Sequence, residues 1–407
     1  MTLLAVFIIL VFLFSLIARR AAQSIITAPM VFAAAGIVAY FALPGASALA
    51  ITSPIVLLIG EITLAVILFG DATHISLREV TRESELPARL LGIGMPLAIV
   101  AGTLAALLLA GLPLWEAAIL ATILAPTDAS LGSAVVKSVL VPHRIREALH
   151  VESGLNDGLA VPLLVLFVAL SGTGLHGDQS WLAFTAQQIG LGVLAGLGVG
   201  WLGGLLMMQT EKRGWIGEEA QQLALLALAI LSWLLAEKGV HGNGFISAFV
   251  AGGVLRWRYE AADRHMARFR GAWGLLLVFY IFFAFGYIAA PSLQWISGAL
   301  WLYALLSLTV VRTVPVAISM IGARLQPASV LFLGWFGPRG LASVVLGLIY
   351  LEQRTHLTVN SKIVLAMIAT VLLSILAHGV SANPGTKVYS RRVAGLGPEA
   401  PEGVSAE

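Results

Sequence analysis

Apolar residues in this chain run in long blocks, separated by short clusters of charge, Pro and Gly. A helix needs about 20 predominantly apolar residues to cross a bilayer. On that ruler the pattern predicts about thirteen spans. They lie near 3–18, 25–43, 51–70, 89–111, 114–136, 146–170, 182–208, 218–237, 242–255, 272–290, 294–321, 327–350 and 362–382, and the ninth is short. The first block, "MTLLAVFIILVFLFSLIARR", has no positive n-region and no small-residue cleavage site. Its cationic pair Arg19–Arg20 follows the apolar run, so it reads as a retained span rather than a signal peptide. The end of the chain, "NPGTKVYSRRVAGLGPEAPEGVSAE", is rich in Pro and Gly, and residues 383–407 are expected to form a short disordered cytoplasmic tail.

Composition agrees with the block pattern. Of the 407 residues, 59% are hydrophobic and 11% charged, against roughly 25% charged in soluble domains. The chain needs lipid around it. Its net charge of +3 is spread over loops and gives no argument for nucleic acid. The absence of cysteine excludes disulfides, thiolate metal sites and cysteine nucleophiles. No HExxH zinc helix occurs among the eight histidines; His143 and His150 fall in or near a loop, and His378 reads as a core hydrogen bonder.

The cations test the span map. Alternate loops carry Arg19 and Arg20; Arg78, Arg82 and Arg89; Lys137, Arg144 and Arg146; Lys212 and Arg213; Arg256, Arg258, Arg264, Arg268 and Arg270; Arg324; and Lys387, Arg391 and Arg392. The opposite loops hold only Lys238, Arg354 and Lys362, while Arg312 and Arg339 fall inside spans. By the positive-inside rule the N-terminus faces out and the C-terminus faces the cytoplasm, which suits an inner (plasma) membrane. Thirteen spans also divide as six, one and six, the inverted-repeat plan of many secondary transporters. Span 5 is interrupted by "LAPTDAS" (124–130) and span 12 by "WFGPRGLAS" (335–343). Broken helices at membrane depth need protein or water around the freed backbone, so matched breaks point to a midplane site.

Polar residues concentrate near those breaks: Thr127 and Asp128 in span 5, Glu152, Ser153, Asn156 and Asp157 at the head of span 6, and Arg312 and Arg339. An ionised group at the bilayer centre costs roughly 2.5–3.5 kcal/mol on insertion scales. On a helix, Ser153 and Asp157 share a face, and Glu152 and Asn156 share the next one. Gly154 and Gly158, also four apart, let a neighbour approach closely. The carboxylates of Asp157 and Asp128, the Ser153 hydroxyl and a freed Thr127 carbonyl would form an all-oxygen cage. Such a cage suits a hard cation. With few carboxylates, Na⁺ fits better than Mg²⁺ or a transition metal. Burial raises a carboxylate's affinity for a proton, so H⁺ competes for the same oxygens, and competition at one site suffices for exchange. Taken alone, Glu152 reads as a structural partner for a buried arginine, and Ser153 could be a packing hydroxyl. Asp71 ends span 3 before a polar loop, and Glu61 within that span reads as an interhelical polar contact.

With these residues in place, "APTDAS", "VESGLNDGLAVPLL", "GFISAFVAGGVLR" (244–256) and "GWFGPRGLASVVLGLI" (334–349) occur in an order that resembles the NhaP/NHE-type sodium/proton antiporters of the monovalent cation:proton antiporter superfamily. The likeness covers nearly all of the chain up to the tail. It implies an all-α fold of about thirteen helices with spans 5 and 12 unwound and crossing, and a homodimer. Residues 1–382 would then form the antiporter domain, with a core bundle over 89–170 and 294–382 and a dimerisation bundle over 1–88 and 182–290. The resemblance implies that Asp157, Asp128, Ser153 and a Thr127 oxygen hold Na⁺, with Asn156 counted in the same ion-binding set. It further implies that Asn156–Asp157 is the Asn-Asp pair of the electroneutral branch, that Glu152 bridges to Arg312, and that Arg339 stabilises the unwound backbone. Asp71 matches an acidic position after span 3 only loosely. The expectation is therefore a secondary transporter in the lipid bilayer, not an enzyme, exchanging Na⁺ or Li⁺ for H⁺ without a cofactor. K⁺/H⁺ exchange on the same fold is the alternative. A sodium-coupled solute symporter, an ion channel and an intramembrane protease are more distant ones.

Overall fold

A computed structural model describes residues 2–21, 24–43, 54–74, 85–128, 131–136, 138–171, 181–352, 361–394 and 402. Arg78, Arg82, Lys137, Arg354 and, in the tail, residues 395–401 and 403–407 lie outside the described residues. Those described form helices and connecting turns, with no strand among them. In chain order the helices are α1 (Thr2–Ala21), α2 (Ala28–Ala42), α3 (Pro54–His74), α4 (Glu85–Ala110), α5 (Leu114–Ile123), α6 (Ser133–Val136), α7 (His143–Leu170) and α8 (Trp181–Lys212). There follow α9 (Glu218–Val240), α10 (Gly244–Arg258), α11 (Ala262–Phe269), α12 (Leu275–Trp295), α13 (Gly298–Ser319), α14 (Pro327–Trp335), α15 (Leu341–Glu352) and α16 (Lys362–Val393).

Every expected span has its helix. Spans 5 and 12 are each two helices, α5 with α6 and α14 with α15, parted after Ile123 and after Trp335. Two features differ from the sequence expectation. The segment carrying Arg264 and Arg268 is a short helix, α11, rather than loop; it buries His265, Met266 and Phe269 on one side. The last helix also runs on to Val393 instead of ending at 382. Pro384 sits inside it, where a proline removes one helix hydrogen bond at a cost of about 3 kcal/mol. Local contacts offset that cost. The amide of Asn383 donates to the Ser24 carbonyl at 2.7 Å, and Tyr389 stacks on Phe332 with ring centroids 4.1 Å apart. Beyond it, Glu402 is buried and accepts the Gln326 amide hydrogen at 2.6 Å and the Ser329 hydroxyl at 3.0 Å, at the start of α14. The tail is therefore not disordered throughout.

The chain divides into two compact units. The first comprises residues 1–57, 83–156 and 278–407. In it α2 and α12 meet backbone to backbone: a Cβ on Gly36 would lie 2.1 Å from the Phe283 carbonyl oxygen, and one on Gly286 1.9 Å from that of Ala33. Only glycine permits such an approach. Phe7, Phe14, Phe32 and Phe279 pack around this contact.

The second unit comprises residues 58–82 and 157–277. Its centre is the contact of α8 with α10. Gly192, Gly196, Gly200 and Gly204 recur every fourth residue along one face of α8. A Cβ on the first three would fall 2.5–2.7 Å from the carbonyl oxygens of Asn243, Ser247 and Ala251. Small residues at this spacing let membrane helices pack on their backbones. The short α10 is thereby held along its length, and Asn243 caps it, accepting the amides of Phe245 and Ile246 at 3.0 Å.

Candidate ion-binding site

The breaks in α5/α6 and α14/α15 satisfy each other. Pro126 cannot donate a backbone hydrogen bond, and Gly337–Pro338 ends the regular ladder of α14. The amide of Asp128 instead donates to the Pro338 carbonyl at 2.8 Å. In return the amide of Leu341, first residue of α15, donates to Asp128 Oδ2 at 2.7 Å. A carboxylate in that position caps a helix N-terminus and meets its positive end. The guanidinium of Arg339 reaches the other way, donating to the carbonyls of Ala125 and, at 3.2 Å, Pro126. These are the carbonyls that the interruption of α5 leaves without helical partners. Gly340 makes the approach possible, since a Cβ there would lie 2.0 Å from Asp128 Oδ2.

The head of α7 docks on the same break. Ser153 donates from Oγ to the Thr127 carbonyl at 3.0 Å, and Asn156 donates from Nδ2 to Thr127 Oγ1 at 2.7 Å. Glu152 and Asn156, four residues apart, lie on one helical face, and Ser153 and Asp157 on the next. Glu152 is paired in two-pronged fashion with Arg312 of α13, at 2.6 and 2.7 Å. Both side chains are almost fully buried, and α13 leaves helical geometry just before, at Thr309 (φ −109°, ψ −90°). A fork-to-fork pair of this kind satisfies charges that could not stand alone in the interior.

Thr127, Asp128, Glu152, Ser153, Asn156, Arg312 and Arg339 are therefore gathered in the first unit and all are buried. Asp157 follows Asn156 on the unbroken α7 and is also buried, with 7% of its surface exposed. Asp71 lies in the last turn of α3, half-buried, within the second unit. Two oxygens expected to be open are engaged by protein: the Thr127 carbonyl by Ser153, and Asp128 Oδ2 by Leu341. Asn156 Oδ1 is buried with no hydrogen-bond partner among the described residues.

Sequence reasoning missed Ser374 of α16, which accepts the Arg339 amide hydrogen at 2.7 Å, and the glycines that make room for the charges. A serine inside an apolar span gives little signal, because its hydroxyl can bond its own helix. No group of three or more His, Cys, Asp or Glu side chains that could hold a metal together occurs among the described residues.

Residues 5–387 match the family model described as sodium/hydrogen exchanger, transmembrane. The chain is 27% identical over 337 residues to the K(+)/H(+) antiporter NhaP of Alkalimonas amylolytica, covering 80% of this chain and 56% of that one. It is 29% identical over 256 residues to Na(+)/H(+) antiporter 2 of Zygosaccharomyces rouxii, covering 57% of this chain and 31% of the other. The chain thus spans about half or less of the length of these relatives. Its fold is similar to that of the sodium proton antiporter MjNhaP1 from Methanocaldococcus jannaschii, with a TM-score of 0.74 and 21% identity over 96% of this chain and 99% of that one. The crossed helices, the buried polar cluster and a family match over nearly the whole length lead to one conclusion: the chain belongs to the transmembrane sodium/hydrogen exchanger family, a family of cation/proton antiporters rather than of enzymes.

Proposed function

We propose that the protein exchanges Na⁺ or Li⁺ for H⁺, one for one, at a site made by Asp157 with Asp128, Ser153 and a Thr127 oxygen. The observation that carries this reading is the docking of α7 on the α5 break through Ser153 and Asn156. Along α7, Asp157 follows Ser153 by one helical turn and shares its face. Glu152 neutralises Arg312, and Asp128 caps α15. Asn156 cannot ionise, and its amide holds Thr127. In this reading Asp157, an ionisable group beside the non-ionisable Asn156, is the carboxylate that a proton and a cation contest.

A single carboxylate carrying either H⁺ or one monovalent cation moves no net charge per cycle. The membrane potential, worth about 2.3 kcal/mol per charge per 100 mV, would neither drive nor oppose such exchange. K⁺ is the second candidate, because several similar proteins bear the name K(+)/H(+) antiporter. The homodimer, the inner-membrane location and the inward-facing C-terminus belong to the same proposal; the last rests on the loop cations.

The test is exchange in proteoliposomes with an internal pH dye, adding Na⁺, Li⁺ or K⁺ outside with and without an imposed potential. Internal alkalinisation on Na⁺ or Li⁺ that ignores the potential is the expected result. A response to K⁺ alone changes the ion, and a rate that follows the potential overturns the one-for-one stoichiometry. Asp157→Asn should abolish exchange while the protein stays folded; wild-type rates in that variant would refute the site.

A further inference from the structure

The broken helix α14/α15 is tied at both lips by one turn of α16. At the upper lip Trp335 ends α14, and its carbonyl accepts hydrogen bonds from the Gly337 amide at 2.9 Å and from His378 Nε2 at 2.8 Å. At the lower lip the Arg339 amide donates to Ser374 Oγ at 2.7 Å. Ser374 and His378 are four residues apart on α16, and Ser374 Oγ lies 3.2 Å from His378 Nδ1. Both side chains are buried.

Donor and acceptor roles follow from the partners. A carbonyl can only accept, so the Trp335 contact places a proton on Nε2. In the neutral ring Nδ1 is then an acceptor. Ser374 Oγ, having accepted from Arg339, has its own hydrogen to give to Nδ1. The result is a relay running from the Arg339 amide through the Ser374 hydroxyl to the imidazole and on to the Trp335 carbonyl. The neutral ring is the state in which all three bonds exist together. The Ser374 carbonyl also lies 3.0 Å from Nδ1; being an acceptor, it would bond that nitrogen only in a protonated ring. A second tie, from the Trp335 indole to Ser381 Oγ at 2.9 Å, holds the same lip.

We propose that Ser374 and His378 form a polar clamp that sets the gap between Trp335 and Arg339, which makes His378 a positioning residue for the cation site. Everything that places Asp128 from the α14/α15 side lies in or just after that gap. The Pro338 carbonyl accepts the Asp128 amide, the Leu341 amide binds its carboxylate, and Arg339 spans to Ala125 and Pro126. His378 touches none of these groups itself. It acts by holding the backbone from which they extend. The inference rests on the reading of the Asp128 cluster as a cation site.

The experiment compares His378→Gln, His378→Asn and His378→Ala in the full chain. A glutamine amide nitrogen takes the place of Nε2 and can still donate to Trp335; an asparagine nitrogen takes the place of Nδ1 and cannot. Two measurements are made on each: hydrogen–deuterium exchange of the peptide covering 335–341, and the apparent KM for Na⁺ in proteoliposomes. The loss of one buried hydrogen bond at the clamp should raise KM about tenfold in the Ala and Asn variants. It should also speed amide exchange across the break, with kcat changed less than KM and Gln close to wild type in both readouts. Equal behaviour of Gln and Asn, whether both work or both fail to fold, overturns the clamp. So does faster amide exchange with an unchanged KM, which would leave the dyad a purely structural contact. If wild-type protein shows no cation-dependent proton movement, the cation-site reading fails, while the amide exchange still reports on the gap.

Discussion

Two close helix contacts in this molecule are built in opposite ways. In the second unit α8 and α10 meet along a ladder of glycines, and no charged group is needed there: Gly192, Gly196 and Gly200 bring backbone against backbone. In the first unit the α5/α6 and α14/α15 breaks meet through charges and freed amides. There the glycines serve side chains, since a Cβ on Gly337 would lie 2.6 Å from Arg312 Nε and one on Gly340 2.0 Å from Asp128 Oδ2. A ladder of small residues is stiff and costs little, because every backbone group keeps its own helical partner. A crossing of broken helices gives up those partners and recovers them one by one, from Arg339, Asp128, Leu341 and Ser374. The first arrangement suits a scaffold. The second gathers buried polar groups, which the proposed reading assigns to the cation.

The largest effect should follow from breaking the charges. Arg312→Ala leaves Glu152 buried without its hydrogen-bonded cation, a loss of about 3–5 kcal/mol. That is a large part of a typical folding stability of about 5–15 kcal/mol. Thermal unfolding in detergent should show a marked drop, and adding Glu152→Gln should recover part of it. An Arg312→Ala protein as stable as wild type would mean that the pair carries no such energy.

Next in size come paired glycine substitutions, which test the comparison directly. Gly196→Val drives side-chain carbon into the Ser247 carbonyl, with overpacking costs of about 1–3 kcal/mol. Its unfolding temperature should fall, with exchange per folded molecule retained. Gly340→Ala should do the reverse: the displaced group is the end of the Asp128 side chain, so exchange should collapse with a smaller loss of stability. If the two variants behave alike, the distinction between scaffold and crossing is wrong.

The same contrast explains what could be read from the sequence. Asp128, Asp157, Arg312 and Arg339 stood out because a charge inside an apolar run is expensive, and the partners Glu152 and Arg312 followed from the resemblance. The thirteen spans were legible because apolar length alone sets them. The glycine ladder was present in the letters, but glycine barely alters a hydropathy pattern, so it passed unnoticed. Helix α11 is too short and too charged to register as a span. The extension of α16 through Pro384 depends on contacts with Ser24 and Phe332, which are distant in sequence. Local breaker rules could not foresee them.

A smaller effect is expected at Glu402, whose Oε1 accepts the Gln326 amide and the Ser329 hydroxyl while Oε2 is buried with no hydrogen-bond partner among the described residues. Glu402→Gln keeps the shape and weakens a charge-assisted cap. The expected loss is about 1 kcal/mol or less. Limited proteolysis of the tail should read it, as faster cleavage after residue 393. Unchanged cleavage would mean the carboxylate does not hold this end of the chain to α14.

The smallest effect belongs to the second unit and depends on pH. His265 of α11 is buried, its Nδ1 has no hydrogen-bond partner among the described residues, and its ring stacks on Tyr259 with centroids 6.3 Å apart. Burial holds its pKa below the ordinary 6.5; Arg268 and Arg264 push the same way, against Glu211 and Glu218. Tyr259, buried beside Glu211, is pushed up to about 12 and stays neutral throughout. Because the folded pKa lies lower, the unfolded chain takes up a proton first as pH falls below 6.5. The contribution of His265 to stability is therefore flat above that value and is lost on acidification through the folded pKa. His265→Gln should remove this slope, so the difference in unfolding temperature between variant and wild type should change between pH 7 and pH 5. A difference that stays constant over that range would show that His265 is not held neutral by its burial. The α11 contact would then owe its stability to the packing of Met266 and Phe269 alone, by the same charge-free means as the glycine ladder beside it.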